Sequence, residues 1–198
     1  MSILASGTAL LLWLAAAGVL AGEQPNNLLR NPSADFNAQD WQATGQAYVE
    51  ECGAGGLCFV VRNHGSFMQD VALPEKAGGQ YAVFVGRGSS ERVNPDGAIT
   101  GLPYLYGYMM PPKNDGDGIV LAYLQGQTML GSSPYANGWV KMWGIFKIPE
   151  GAGRIRFFLN QAERKGVPQN GSAARFDDLG LYVFPTGAAA KAFVGQTD

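Results

Sequence analysis

From Leu28 to Val183 the apolar residues recur in short runs bounded by Gly, Pro, Asn or Asp, and no segment sustains the 3.6-residue spacing of an amphipathic helix. The alternation predicts strands at Ala47–Glu50 and Phe59–Arg62, at Phe67–Leu73 and at Gln80–Arg87. It continues through Pro103–Met110, Gly118–Leu124, Trp139–Ile148, Arg154–Asn160 and Phe176–Val183. Arg62-Asn63-His64-Gly65-Ser66 reads as a turn between strands, Gly88–Leu102 as a long polar connection, and Gly131–Gly138 as a further loop. About eight to ten short strands at this spacing imply an all-β fold, an antiparallel β-sandwich of jelly-roll type. We assign the sandwich to residues 27–185, after a spacer at 22–26 and before a small, polar tail at 186–198. That tail frames either a short helix through Ala188–Phe193 or no structure.

The first 22 residues break the pattern, because they hold no charged side chain and Ala9–Ala21 is almost entirely apolar. An apolar centre ending in Val19-Leu20-Ala21 is the form of a secretory signal peptide cleaved after Ala21. No Lys or Arg precedes the run, so residues 1–21 also fit an uncleaved anchor, being close to the ~20 residues that span a bilayer. Secretion, or export to a periplasm, is the expectation, with membrane contact only if the leader is kept.

Cys52 and Cys58 are the only cysteines and bracket a Gly-rich loop. Such a pair in an exported chain fits a disulfide clamping the base of a hairpin. Zinc would need further ligands, and a redox pair usually has the shorter Cys-x-x-Cys spacing. A net charge of −2 with both signs scattered leaves no basic stripe for nucleic acid. His64 is the only histidine and there is no Gly-x-Ser-x-Gly elbow, so no catalytic residues are assigned and the chain reads as a non-enzyme. Asn170-Gly171-Ser172 is a glycosylation acceptor sequence where the source modifies exported proteins.

Two adjacent carboxylates, Asp177 and Asp178, stand in the closing strand, where alternation points them to opposite faces. One must face inward unless a partner or a metal takes it.

The opening Asn27-Leu28-Leu29-Arg30-Asn31-Pro32-Ser33-Ala34-Asp35 with Trp41 resembles that of carbohydrate-binding-module-like domains of the galactose-binding jelly-roll fold. Gln69-Asp70-Val71 with Gly79-Gln80-Tyr81, Gly138-Trp139 with Pro149-Glu150-Gly151, and Phe176-Asp177-Asp178-Leu179 resemble later motifs of the same domains. The likeness spans Asn27 to Phe184 and speaks to fold more than to function. It implies a structural calcium held by Asp35 and Asp178, joining the first strand to the last; Ca²⁺ takes oxygen ligands that carbonyls can complete. Without the metal, Asp178 would cap backbone amides and Asp35 would be a solvated turn residue.

Period two puts Tyr104, Tyr106 and Tyr108 on one face of their strand, and Trp139, Lys141, Trp143, Ile145 and Lys147 on one face of theirs. The lysines suggest that the second face reaches solvent, while Arg156 and Phe158 share the outward parity of the neighbouring strand. Exposed rings beside Arg, Asn and Gln suit a sugar, whose C–H faces stack on aromatic surfaces while polar groups take its hydroxyls. The candidate ligand-binding residues are therefore Tyr104, Tyr106, Tyr108, Trp143, Arg156 and Phe158, with Trp41, Trp139 and Tyr81 assigned to the core. The expected partner is a glycan or another surface polymer; the alternative is a structural or assembly subunit that turns the same face to a protein.

Overall fold

The computed structural model describes residues 25–53, 56–90, 102–113, 118–124, 133–134, 138–162 and 173–196. The apolar leader, residues 91–101 of the polar connection and Asn170-Gly171-Ser172 lie outside them. The elements are β1 (Gln42–Glu51), β2 (Leu57–Ala72), β3 (Tyr81–Ser90), β4 (Leu102–Met110), β5 (Ala122–Leu124), β6 (Ser133–Pro134), β7 (Val140–Lys147), β8 (Arg154–Ala162), β9 (Ala173–Phe184) and α1 (Gly187–Gln196). All strand pairings are antiparallel, in the order β5-β4-β8-β2-β9-β3-β7-β6, with β1 along β2.

Strand β2 belongs to both leaves of the sandwich. Its Ser66–Ala72 part pairs with β8, and its Phe59–Arg62 part pairs with β9. The turn expected around His64 is instead a bend within this one strand. Asn63 adopts φ 51°, Gly45 opposite adopts φ 58°, and the β1–β2 register shifts between Thr44 and Gln46. A bulge re-aims a strand without ending its pairing, which is why polar and Gly residues here mimic a turn signal. Gly65 is required at the bend, because a Cβ there would lie 2.6 Å from the Gln46 carbonyl.

The leaves close over Trp41, Phe59, Phe67, Phe84 and Phe157. Phe84 of β3 meets Phe157 of β8 edge-on at 4.8 Å, and Trp41 lies 5.0 Å from Phe59. Alternation is clean in β8, where Ile155, Phe157 and Leu159 are fully buried and Arg156, Phe158 and Asn160 face out. The segment before β1 meets the last strand. Asn27 donates to the Leu179 carbonyl and accepts from the Leu181 amide, and the Leu28 amide bonds the Leu181 carbonyl. Gln69, buried under this opening segment, bonds both the amide and the carbonyl of Arg30.

The small, polar tail forms α1 and packs on the outer face of β3, β7 and β9. Ala190 and Val194 are buried against Val83 and Phe184, with Tyr81, Trp143, Ile145, Tyr182 and Phe193 around them. Thr186 Oγ1 accepts from the Ala189 amide at the helix start. At its end, Lys141 Nζ donates to the Val194 carbonyl at 2.8 Å. This corrects the solvent face expected from the lysines of β7. The stem of Lys141 lies along apolar neighbours and its charge meets the negative end of a helix, so the residue is only 3% exposed. Trp41 is core as expected, whereas Tyr81 and Trp139 pack on the outside of this leaf.

Candidate functional site

Strand β4 presents Tyr104, Tyr106 and Tyr108 outward because Leu105 and Met109, of opposite parity, are drawn into the core. Cross-strand register then builds three rungs over the outer face of the other leaf. Tyr104 opposes Asn160, which opposes Ser66; Tyr106 opposes Phe158, which opposes Met68; and Tyr108 opposes Arg156, which opposes Asp70. On the far side Tyr108 opposes Tyr123 of β5. The last rung therefore runs Asp70, Arg156, Tyr108, Tyr123 across four strands, roughly 14 Å at about 4.8 Å per strand gap.

The rings pack on one another. Tyr106 stacks on Phe158 at 4.6 Å and 4°, and on Tyr104 at 5.4 Å and 20°, so its π faces are taken up within the protein. Tyr108 stands edgewise to both Tyr106 and Phe158, and Tyr123 stands perpendicular to Tyr108 at 5.4 Å. Tyr123, at 60% exposure, offers the most open ring of the group. Burial, reinforced by Tyr108, pushes the Tyr106 phenol up to about 12, so it is a neutral hydroxyl 3.4 Å from the Asn160 amide.

Arg156 grips both Asp70 oxygens at 2.8 Å, and Arg154 reaches the same carboxylate at 3.4 Å. The hydrogen bond from Arg156 chiefly, with the charges of Arg154 and Lys113, holds the Asp70 carboxyl below its ordinary range. Beyond Asp70 the face drops into a cleft of about 310 Å³ lined by Val71, Ala72, Pro112, Lys113, Gly153 and Arg154.

The structure thus brings together five of the six residues singled out as ligand contacts: Tyr104, Tyr106, Tyr108, Arg156 and Phe158. Trp143 lies on the opposite outer face, in the cluster beneath α1. Sequence reasoning missed Tyr123 and Asp70. Tyr123 carried a signal, since Ala122 and Leu124 flank it and period two turns it away from the buried Leu124. Asp70 carried none, because its pairing with Arg156 depends on register between strands distant in sequence.

The carboxylates of β9 lie elsewhere, where β9 meets the opening segment. Leu179 donates to the Pro32 carbonyl, and Ser33 Oγ lies 3.3 Å from Asp178 Oδ1. Arg87 of β3 spans both acids, with Nη2 2.6 Å from Asp177 and Nε 2.7 Å from Asp178, and its guanidinium sits over the Trp139 ring. Burial outweighs the guanidinium and raises the Asp177 carboxyl. Asp35 is exposed, and no group of three His, Cys, Asp or Glu that could hold a metal occurs among the described residues. Asp178 is held in an ion pair and Asp35 faces solvent. Cys52 and Cys58 are paired, with Cα atoms 5.8 Å apart across the β1–β2 hairpin.

No family model and no curated protein matches the chain. Solved structures do. The N-terminal CBM22-1-CBM22-2 tandem domain of Paenibacillus barcinonensis Xyn10C matches with a TM-score of 0.52 and 15% identity, covering 84% of this chain and 48% of that one. The enzymatically active domain of bacteriophage CBA120 tailspike protein 4 matches with a TM-score of 0.51 and 15% identity, covering 80% and 21%. TmCBM61 in complex with β-1,4-galactotriose matches with a TM-score of 0.44 and 18% identity over 81% and 99%. At these identities the likeness is one of fold: the chain has the β-sandwich that carbohydrate-binding modules carry.

Proposed function

We propose that the chain is an exported, non-catalytic binding module that receives a carbohydrate chain on the outer face of β4 and β8. The observation that carries this reading is the patch of Tyr104, Tyr106, Tyr108, Phe158 and Tyr123 lying directly against the Arg156–Asp70 pair. Its inner rings are locked by mutual stacking, so little side-chain freedom remains to be lost when a ligand arrives. Tyr108 and Tyr123 supply ring surface at the open edge, and Arg156, Asp70 and Asn160 supply donors and acceptors for hydroxyls. The shared fold supports the reading, and the apolar leader and the Cys52–Cys58 pair support an oxidising destination, secreted or periplasmic.

Titration against soluble polysaccharides and a glycan array tests the assignment. The protein should bind at least one glycan, and Tyr108→Ala and Tyr123→Ala should each weaken that binding roughly three- to tenfold, as loss of one ring contact implies. Failure to bind any glycan, or binding indifferent to both substitutions, overturns it. The rival role in assembly rests on Ile119, Leu121 and Tyr123, exposed along the β5 edge. It would show as self-association, or as capture of one defined protein partner, abolished by Leu121→Lys. A calcium joining Asp35 to Asp178 rests on the sequence resemblance alone, and chelation is its test.

A further inference from the structure

Among the described residues, β1 is the one long edge of the sheet. The path of strands ends at β5, of three residues, and at β6, of two with Pro134 among them; edges so short or interrupted offer little backbone to an incoming strand. β1 has ten residues, contains no Lys, Arg or Pro, and among the described residues pairs only with β2. Alternate residues along its other side therefore turn N–H and C=O groups to solvent. The bulge at Gly45, φ 58°, falls toward one end and leaves residues 46–51 in unbroken register with β2. Just past Glu51 the Cys52–Cys58 bridge pins the segment, so it is already extended before anything binds.

We propose that β1 is the surface on which a second copy of this chain docks, the two strands pairing antiparallel about a two-fold axis at Tyr48. Ala47 and Val49 pack against the core, which turns Gln46, Tyr48 and Glu50 outward. Directly opposed residues share a face, so this axis sets each Tyr48 against its counterpart, Gln46 against Glu50 and Ala47 against Val49. The donors and acceptors match. Asn63 donates to Gln46 Oε1 at 2.7 Å and Arg175 to Glu50 Oε1 at 3.0 Å, which leaves the Gln46 N–H group to donate to the other Glu50 oxygen of the second copy. No carboxylate faces a carboxylate, whereas parallel pairing in register would set Glu50 and Glu51 against themselves. Tyr48, 38% exposed and held by Arg62 Nε at 2.9 Å, supplies the aromatic pair at the centre. An interface of one strand edge is small, so the dimer belongs to the weak class, with a Kd on the order of 10–100 µM.

Sedimentation equilibrium without glycan tests this apart from carbohydrate binding. Wild-type protein should pass from monomer to dimer, and no further, between about 1 µM and 0.5 mM. Gln46→Glu, which opposes Glu50 twice per dimer, should weaken association about tenfold, and Gln46→Lys, which offers Glu50 a cation, should tighten it by a similar factor. A lysine on an edge ordinarily discourages pairing, so these opposite signs belong to the register about Tyr48. Leu121→Lys, at the β5 edge, should change nothing. Monomer throughout the range, open-ended aggregation, or association moved the same way or not at all by the two Gln46 substitutions overturns the inference and leaves the carbohydrate reading intact. So does self-association lost with Leu121→Lys.

Discussion

Replacing Arg87 by Met tests what holds the last strand to its neighbours. Its contact to Asp178 involves a carboxylate that is 57% exposed, so this arm is worth little, about 0–1 kcal/mol. The arm to Asp177 differs, since that side chain is only 10% exposed and its pair is 2.6 Å apart. Removing one partner of a buried ion pair costs about 3–5 kcal/mol when the other stays charged. Here Asp177 keeps the amide of Asp178 at 2.8 Å and, its carboxyl already raised by burial, can take up a proton. Both lower the figure, and loss of the Trp139 contact adds about 0.5–1 kcal/mol, so we expect a destabilisation of about 2–3 kcal/mol at pH 7. The pH dependence has a definite sign. A carboxyl whose folded pKa is raised binds protons more readily folded than unfolded, so its burial penalty is relieved as pH falls toward the ordinary carboxylate range. The deficit of Arg87→Met should therefore shrink between pH 7 and pH 5, and Asp177→Asn in the same background should recover more than half of it. Urea unfolding followed by Trp fluorescence reads all of these. A deficit under about 0.5 kcal/mol or one that ignores pH, together with wild-type protein that loses stability to a chelator, would refute this account and put a cation at the junction.

Two further perturbations address the other features. Lys141→Met removes the donor at the end of α1 and should release the helix, costing about 1–2 kcal/mol and raising amide exchange across 187–196, read by hydrogen exchange; unchanged exchange there would sink the capping role. Tyr106, with a phenol raised to about 12, should still be neutral at pH 11 in a spectrophotometric titration; because the unfolded phenol ionises near 10, stability should fall as pH rises above that point, and Tyr106→Phe should lessen the fall.

The outward rings of β4 and β8 were legible because period two decides a side wherever the inward partners, Leu105, Met109, Phe157 and Leu159, are unambiguously apolar. The same parity put Trp143 on one face with Lys141 and Ile145 but could not say that α1 covers that face, which is why Trp143 was misplaced among the ligand contacts. Lys141 is polar by composition and buried in fact, since the helix that receives its charge is made of small residues with a single Phe-Val anchor at Phe193-Val194. The bend of β2 was hidden for a related reason: Asn63 and Gly65 carry the residue signs of a turn, while β1 keeps pairing on both sides of them. The motif that joins first strand to last was placed correctly by Asn27, Leu28 and Leu179, yet its acids meet Arg87, a residue on a strand that no local pattern connects to them.

That the opening segment finds its hydrogen bonds 154 residues away, in Leu181, also constrains how the molecule is born. Synthesis at about 5–20 residues per second leaves the nascent chain without β9 for roughly 10–40 s. Through that interval Leu28 and the edge of β3 have no partner strand, and a sandwich built of such distant contacts closes only in about milliseconds to seconds once the last strand exists. Until β9 emerges, the strands that await it stay unpaired and open to chaperones and to one another.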